Sequence, residues 1–132
     1  MTKKKLSLEY ELLSSSENII WSLISTPEGL ARWLADEVTQ EGDELTFTWG
    51  ELWQHHQIKK ATLLEKDKPY RIRFRWNDDT DEDVFVELRI EKSDLTNDCI
   101  LMITDFAVEY DADDMKDLWD YDIERLHRET GV

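Results

Sequence analysis

Four groups of residues in this chain have the types and spacing that chemistry needs. His55 and His56 are adjacent, and Asp105 interrupts an apolar run. Asp122 stands beside an apolar helical stripe, and Asp78, Asp79, Asp81, Glu82 and Asp83 crowd one polar segment. A histidine pair invites a metal, but neighbouring side chains on a strand face opposite ways. Both rings therefore cannot reach one ion, and no cysteine or carboxylate follows at ligand spacing. One imidazole facing inward would serve as a polar group or proton carrier. The acidic run imitates a calcium loop: counted from Asp79, the carboxylates of Asp81 and Asp83 match alternate ligand positions. Val84 then stands where the loop needs glycine, and Ile90 where it needs glutamate. It reads as a solvated turn. Ser14 to Ser16 and the single cysteine, Cys99, have no evident base to activate them. With no nucleophile–base pair, phosphate loop or metal cluster in view, no catalysis, metal or cofactor is expected.

The two lone carboxylates are of a different kind. A carboxylate on an inner face is costly unless paired, and it holds its proton to higher pH. Alternation leaves the side of Asp105 open, since Leu101 and Ile103 share its face while Ile100 and Met102 oppose it. Large rings add a further set: Trp33, Phe47, Trp49, Phe74, Trp76 and Trp119. Such rings either fill a core or wall an apolar pocket with a few polar tips. The candidate ligand-binding residues are therefore Trp33, Phe47, Trp49, His55, Phe74, Trp76, Trp119 and Asp122.

Something must position these residues. Leu6, Leu8, Tyr10 and Leu12 alternate with polar neighbours, the signature of a strand with one buried face. Ser14 to Ser16 offer caps for a helix carrying Ile19, Ile20, Leu23 and Ile24. Thr26-Pro27-Glu28 opens a second short helix, with Leu30, Trp33 and Leu34 as its apolar face. Strands are then expected at Glu37–Glu41, Leu45–Trp49, Leu52–Glu65 with a bulge, Tyr70–Trp76, Val84–Glu91 and Cys99–Val108. Arg71, Arg73 and Arg75 alternate with Ile72, Phe74 and Trp76, and would lie outside, paired with acids on neighbouring strands. Asp111, Asp113 and Asp114 begin a last helix whose stripe is Met115, Trp119, Ile123 and Leu126, stopped at Gly131. Strands joined by short turns make an antiparallel sheet, and the helices must cover its apolar face.

Composition bounds the rest. The 132 residues, 40% apolar with six Trp, four Tyr and four Phe, suffice for one core in one domain, residues 1–132. A net charge of −15 and a pI near 4.5 disfavour nucleic acid and anionic membranes. One cysteine excludes an intrachain disulfide, and neither a leader nor a membrane-spanning run is evident, so a cytoplasmic location is expected.

The order strand, two short helices, six or so strands and one long helix resembles the helix-grip fold of the START-like (Bet v 1-like, SRPBCC) superfamily. Thr26-Pro27-Glu28-Gly29-Leu30-Ala31-Arg32-Trp33-Leu34 resembles the second-helix segment of its Aha1-type branch, the activators of Hsp90 ATPase and their homologues. Glu65 to Trp76, with Pro69 before a strand ending in Trp, resembles that branch's central hairpin. Leu118-Trp119-Asp120 and Glu124-Arg125-Leu126 resemble the final helix of small bacterial START-like proteins. The resemblance implies an α+β fold, with a curved antiparallel sheet of about six to seven strands wrapped around the C-terminal helix. It also implies a cavity between them for an apolar small molecule or lipid.

The expected function is therefore a small-molecule binding module without catalysis. A protein-interaction module, as a homodimer or a chaperone cofactor, is the alternative. An enzyme acting on an apolar ligand in the cavity is the second alternative.

Overall fold

The structure, a computed structural model, describes residues 3–50 and 57–132. Seven strands form one antiparallel sheet: β1 (Lys4–Glu11), β2 (Glu37–Glu41), β3 (Glu44–Trp49), β4 (Gln57–Asp67), β5 (Arg71–Trp76), β6 (Val86–Lys92) and β7 (Cys99–Ala107). Their order across the sheet is β1-β7-β6-β5-β4-β3-β2. Sequential strands are neighbours except that β1 pairs with β7, so chain start and chain end meet. The sheet does not close into a barrel: β1 and β2 remain its edges. The expected bulge lies in β4, where the register with β5 shifts between Leu63 and Glu65. His55, His56 and the beginning of the long strand expected from Leu52 lie outside the described residues.

Helices α1 (Glu17–Ser25) and α2 (Pro27–Leu30) follow β1. The Ser16 hydroxyl accepts from the Ile19 N–H, and the Thr26 hydroxyl from the Gly29 N–H at 2.9 Å, so both caps work as hydrogen-bond acceptors. Helix α2 is shorter than its apolar pattern suggests. It ends at Leu30, and Trp33 and Leu34 are buried in the turn that follows. Gly29 makes that turn possible: a Cβ there would stand 2.6 Å from Leu23 Cα and would overlap the Ser22 carbonyl oxygen. Only a residue without a side chain lets α2 come this close to α1.

Period-two alternation divides the sheet cleanly. Leu45, Phe47, Ile72, Phe74, Leu88, Leu101 and Ile103 are buried on the inner face. Each such ring or aliphatic side chain contributes roughly 1.5–3 kcal/mol on leaving water. Arg71 and Arg73 lie on the outer face as expected, converging on Glu87 of β6, with Arg73 Nη2 2.7 Å from its carboxylate. Arg71 also meets Glu65 and Asp67. The C-terminal helix α3 (Ala112–Thr130) lies over the inner face and buries Trp119, Ile123 and Leu126. Asp111 occupies its N-cap position without making a side-chain cap bond, so the acids there act on the helix dipole through charge alone. Gly131 ends it in the left-handed conformation at φ 73°.

Candidate functional site

Helix α3 covers the inner face unevenly. It is fastened on the β1–β7 side, where the Tyr10 hydroxyl donates to Asp120 Oδ1 at 2.6 Å and Trp119 Nε1 donates to Asp105 Oδ2 at 3.0 Å. Toward β3, β4 and β5 a cleft of about 500 Å³ opens between helix and sheet. Trp49, Lys59 and Trp76 wall it from the sheet, and Leu118, Tyr121 and Asp122 from the helix. A smaller pocket of about 130 Å³ adjoins it through Lys59 and Trp76 and reaches Asp105 and Met115. The larger volume is within the usual range of small-molecule sites, and its walls combine rings with a few polar groups in the same way.

The aromatic set divides into two roles. Trp33, Phe47 and Phe74 are wholly buried (0% exposed) and stand behind the cleft as core. Trp33 Nε1 donates to the Leu23 carbonyl at 2.9 Å, which satisfies its one polar atom inside the protein. Trp49 and Trp76 line the cleft itself. They lean on the core rings: Phe47 stacks on Trp49 at 5.9 Å and meets Trp76 edge-on at 5.1 Å. Trp49 Nε1 donates to the Leu34 carbonyl at 2.9 Å, fixing the ring's orientation. Trp119 is buried against Trp33, with ring centroids 6.5 Å apart, and ties α3 down. His55 lies outside the described residues.

Both questioned carboxylates face inward. Strand pairing puts Asp105 opposite Leu6, on the face of Leu101 and Ile103, which resolves the register that alternation left open. Burial raises its pKa, against the opposing pull of hydrogen bonds from the Phe106 N–H and Trp119. Burial likewise pushes Asp122 up to about 7, with Arg125 as the charge that holds it down. Cys99 is buried and its thiol is raised by burial, which makes it a poor nucleophile. Two carboxylates of the acidic turn bond their own backbone: Asp79 Oδ1 accepts from the Asp81 N–H and Asp81 Oδ1 from the Asp83 N–H.

Lys59 is the residue that sequence reasoning passed over. It pairs with Phe47 across β3 and β4, so its side chain emerges on the inner face between Gln57 and Ala61. Its Nζ lies 4.2 Å from the centre of the Trp76 ring. The available signal was its place two residues before Ala61 in a half-buried strand, which alternation would have put on the inner face.

Comparisons with known proteins bear on the fold. A family model described as a START-like superfamily domain matches residues 1–132. The solution structure of BfR322 from Bacteroides fragilis is 41% identical, with a TM-score of 0.66 over 97% of this chain and 91% of that one. The Aha1 dimer from Colwellia psychrerythraea is 12% identical, with a TM-score of 0.73 over 97% of this chain and 98% of that one. The AHSA1-like protein from Aeromonas hydrophila is 13% identical, with a TM-score of 0.68 over 95% and 93%. No curated protein matches. Among the described residues no helix is long and apolar enough to cross a membrane. The chain belongs to the START-like superfamily, and its fold is the one shared with the Aha1-type structures.

Proposed function

We propose that this protein is a small-molecule binding module that holds an apolar or amphipathic ligand in the cleft between the sheet and α3. The observation that carries this reading is the cleft of about 500 Å³ with Trp49, Trp76, Leu118 and Tyr121 in its walls. Leu118 and Tyr121 are 66% and 59% exposed, and an apolar body in the cleft would cover both. No catalytic step is part of this reading. Native mass spectrometry of freshly purified protein, with a thermal-shift screen of amphiphiles, tests the reading. A retained small molecule, or a melting temperature raised by amphiphiles, supports it. A protein that carries nothing and responds to no amphiphile overturns it.

A second reading, association of two copies, rests on the same exposed Leu118 and Tyr121 and on the fold shared with a protein solved as a dimer. Sedimentation of the full chain separates the two: a dimer that Leu118→Glu dissociates favours association, and a monomer favours the ligand.

A further inference from the structure

The cleft contains one feature that an apolar ligand alone does not explain. Lys59 places an ammonium on the inner sheet face that carries Leu45, Phe47 and Phe74. Among the described residues no ion pair involves it. The Trp76 ring engages one side of the ammonium at 4.2 Å. An ammonium has three N–H donors, and a ring face accepts on one side only.

The other cations nearby are committed. In the adjoining pocket Lys3 pairs with Asp79 at 2.7 Å, and Arg75 donates to the Glu82 carbonyl at 3.1 Å. On α3, Arg125 faces Asp36 at 3.4 Å. In a chain of net charge −15, a cation on a ligand cleft that makes no ion pair among the described residues, with the carboxylates of Asp79 and Asp105 acting on it only at longer range, is an attractor for negative charge.

Resting on the binding reading above, we infer that the cleft selects an amphipathic anion, a carboxylate-bearing molecule whose acid group meets Lys59 and whose apolar body lies against Trp49, Trp76 and Tyr121. The charged groups lining the cleft and the adjoining pocket are Lys59 from β4, Asp122 from α3, Asp105 from β7, and Lys3, Arg75 and Asp79, while Arg125, outside both linings, acts on Asp122. Asp122 changes charge near neutrality, at about 7, and burial also raises Asp105. While protonated Asp122 adds no charge to the cleft; once ionised it adds a negative charge that repels a carboxylate ligand. Selection for the anion therefore weakens as pH rises.

Calorimetry of the full chain with octanoate, octanol and octylamine tests this, since the three share one tail and differ in the head. At about pH 6 octanoate binds about tenfold or more tighter than either of the others, the worth of one charge-assisted contact. At about pH 8 that advantage shrinks. Lys59→Gln brings octanoate to the affinity of octanol and leaves octanol unchanged, whereas Lys59→Arg keeps the preference. Octanol or octylamine matching octanoate, or a preference that survives Lys59→Gln, overturns anion selection while leaving the binding module intact. Should none of the three bind, the module itself falls, and anion selection with it. If Lys59→Gln fails to fold, Lys59→Arg and the pH series on the unaltered chain still decide.

Discussion

Trp119 Nε1 donates to Asp105 Oδ2 at 3.0 Å, joining the middle of α3 to the inner face of β7. The bond favours the ionised carboxylate, which burial otherwise disfavours. Trp119→Phe keeps most of the ring's volume and removes that donor. It should lower stability by about 1–3 kcal/mol at about pH 8 and by less at about pH 4, because the raised pKa lets the carboxyl take up its proton earlier on acidification. Urea denaturation at the two pH values checks this; an equal loss at both contradicts it.

Asp122 makes the pH dependence of stability itself testable. Its carboxyl titrates near 3.8 in an ordinary setting and at about 7 in the fold. Between those values the folded chain holds more protons than the unfolded chain, so stability falls as pH rises through that window and levels off above it. Asp122→Asn removes the penalty. Discounted for partial solvation, the gain is on the order of 1–2 kcal/mol at about pH 8 and near zero at about pH 4. Thermal melts across that range provide the comparison, and a gain independent of pH would contradict this account.

Much of the fold was legible because it rests on local rules. Alternation in Ile72, Phe74 and Trp76 located a strand and its outward Arg71 and Arg73, whereas Arg75 donates to the Glu82 carbonyl rather than to an acid on a neighbouring strand. Thr26-Pro27 opened a helix, and the stripe Met115, Trp119, Ile123 and Leu126 identified the covering face. The site was less legible. Ring type alone does not separate Phe47 and Phe74, which fill the core, from Trp49 and Trp76, which line the cleft. That division depends on where α3 stops covering the sheet. Asp105 needed the β1–β7 register, a non-local pairing between the two ends of the chain. Lys59 was missed because a lysine in a strand reads by default as solvent-facing.

Gly29 supports the two-helix corner. Gly29→Ala puts a methyl group against the Ser22 carbonyl and Leu23 Cα, backbone atoms that cannot turn aside. A loss of about 1–3 kcal/mol is expected, read as a lower melting temperature. An unchanged melt would mean that α1 and α2 separate easily.

Glu87 is buried on the outer face between Arg71 and Arg73. Glu87→Ala leaves Arg73 without its carboxylate and beside Arg71, two positions away on the same face of β5. A loss of about 1–3 kcal/mol, reduced by added salt, is expected in chemical denaturation. No salt dependence in the difference would contradict an electrostatic origin.

The central claim is that a ligand enters between sheet and helix, against Trp49 and Trp76 and away from the core rings. Nuclear magnetic resonance of the tryptophan indole N–H signals during titration with octanoate tests it most directly. The account predicts saturable shifts of the Trp49 and Trp76 signals, with Trp33, buried and bonded to the Leu23 carbonyl, nearly still. Signals of Trp49 and Trp76 that stay in place while amphiphile binds elsewhere, or throughout the titration, would contradict it.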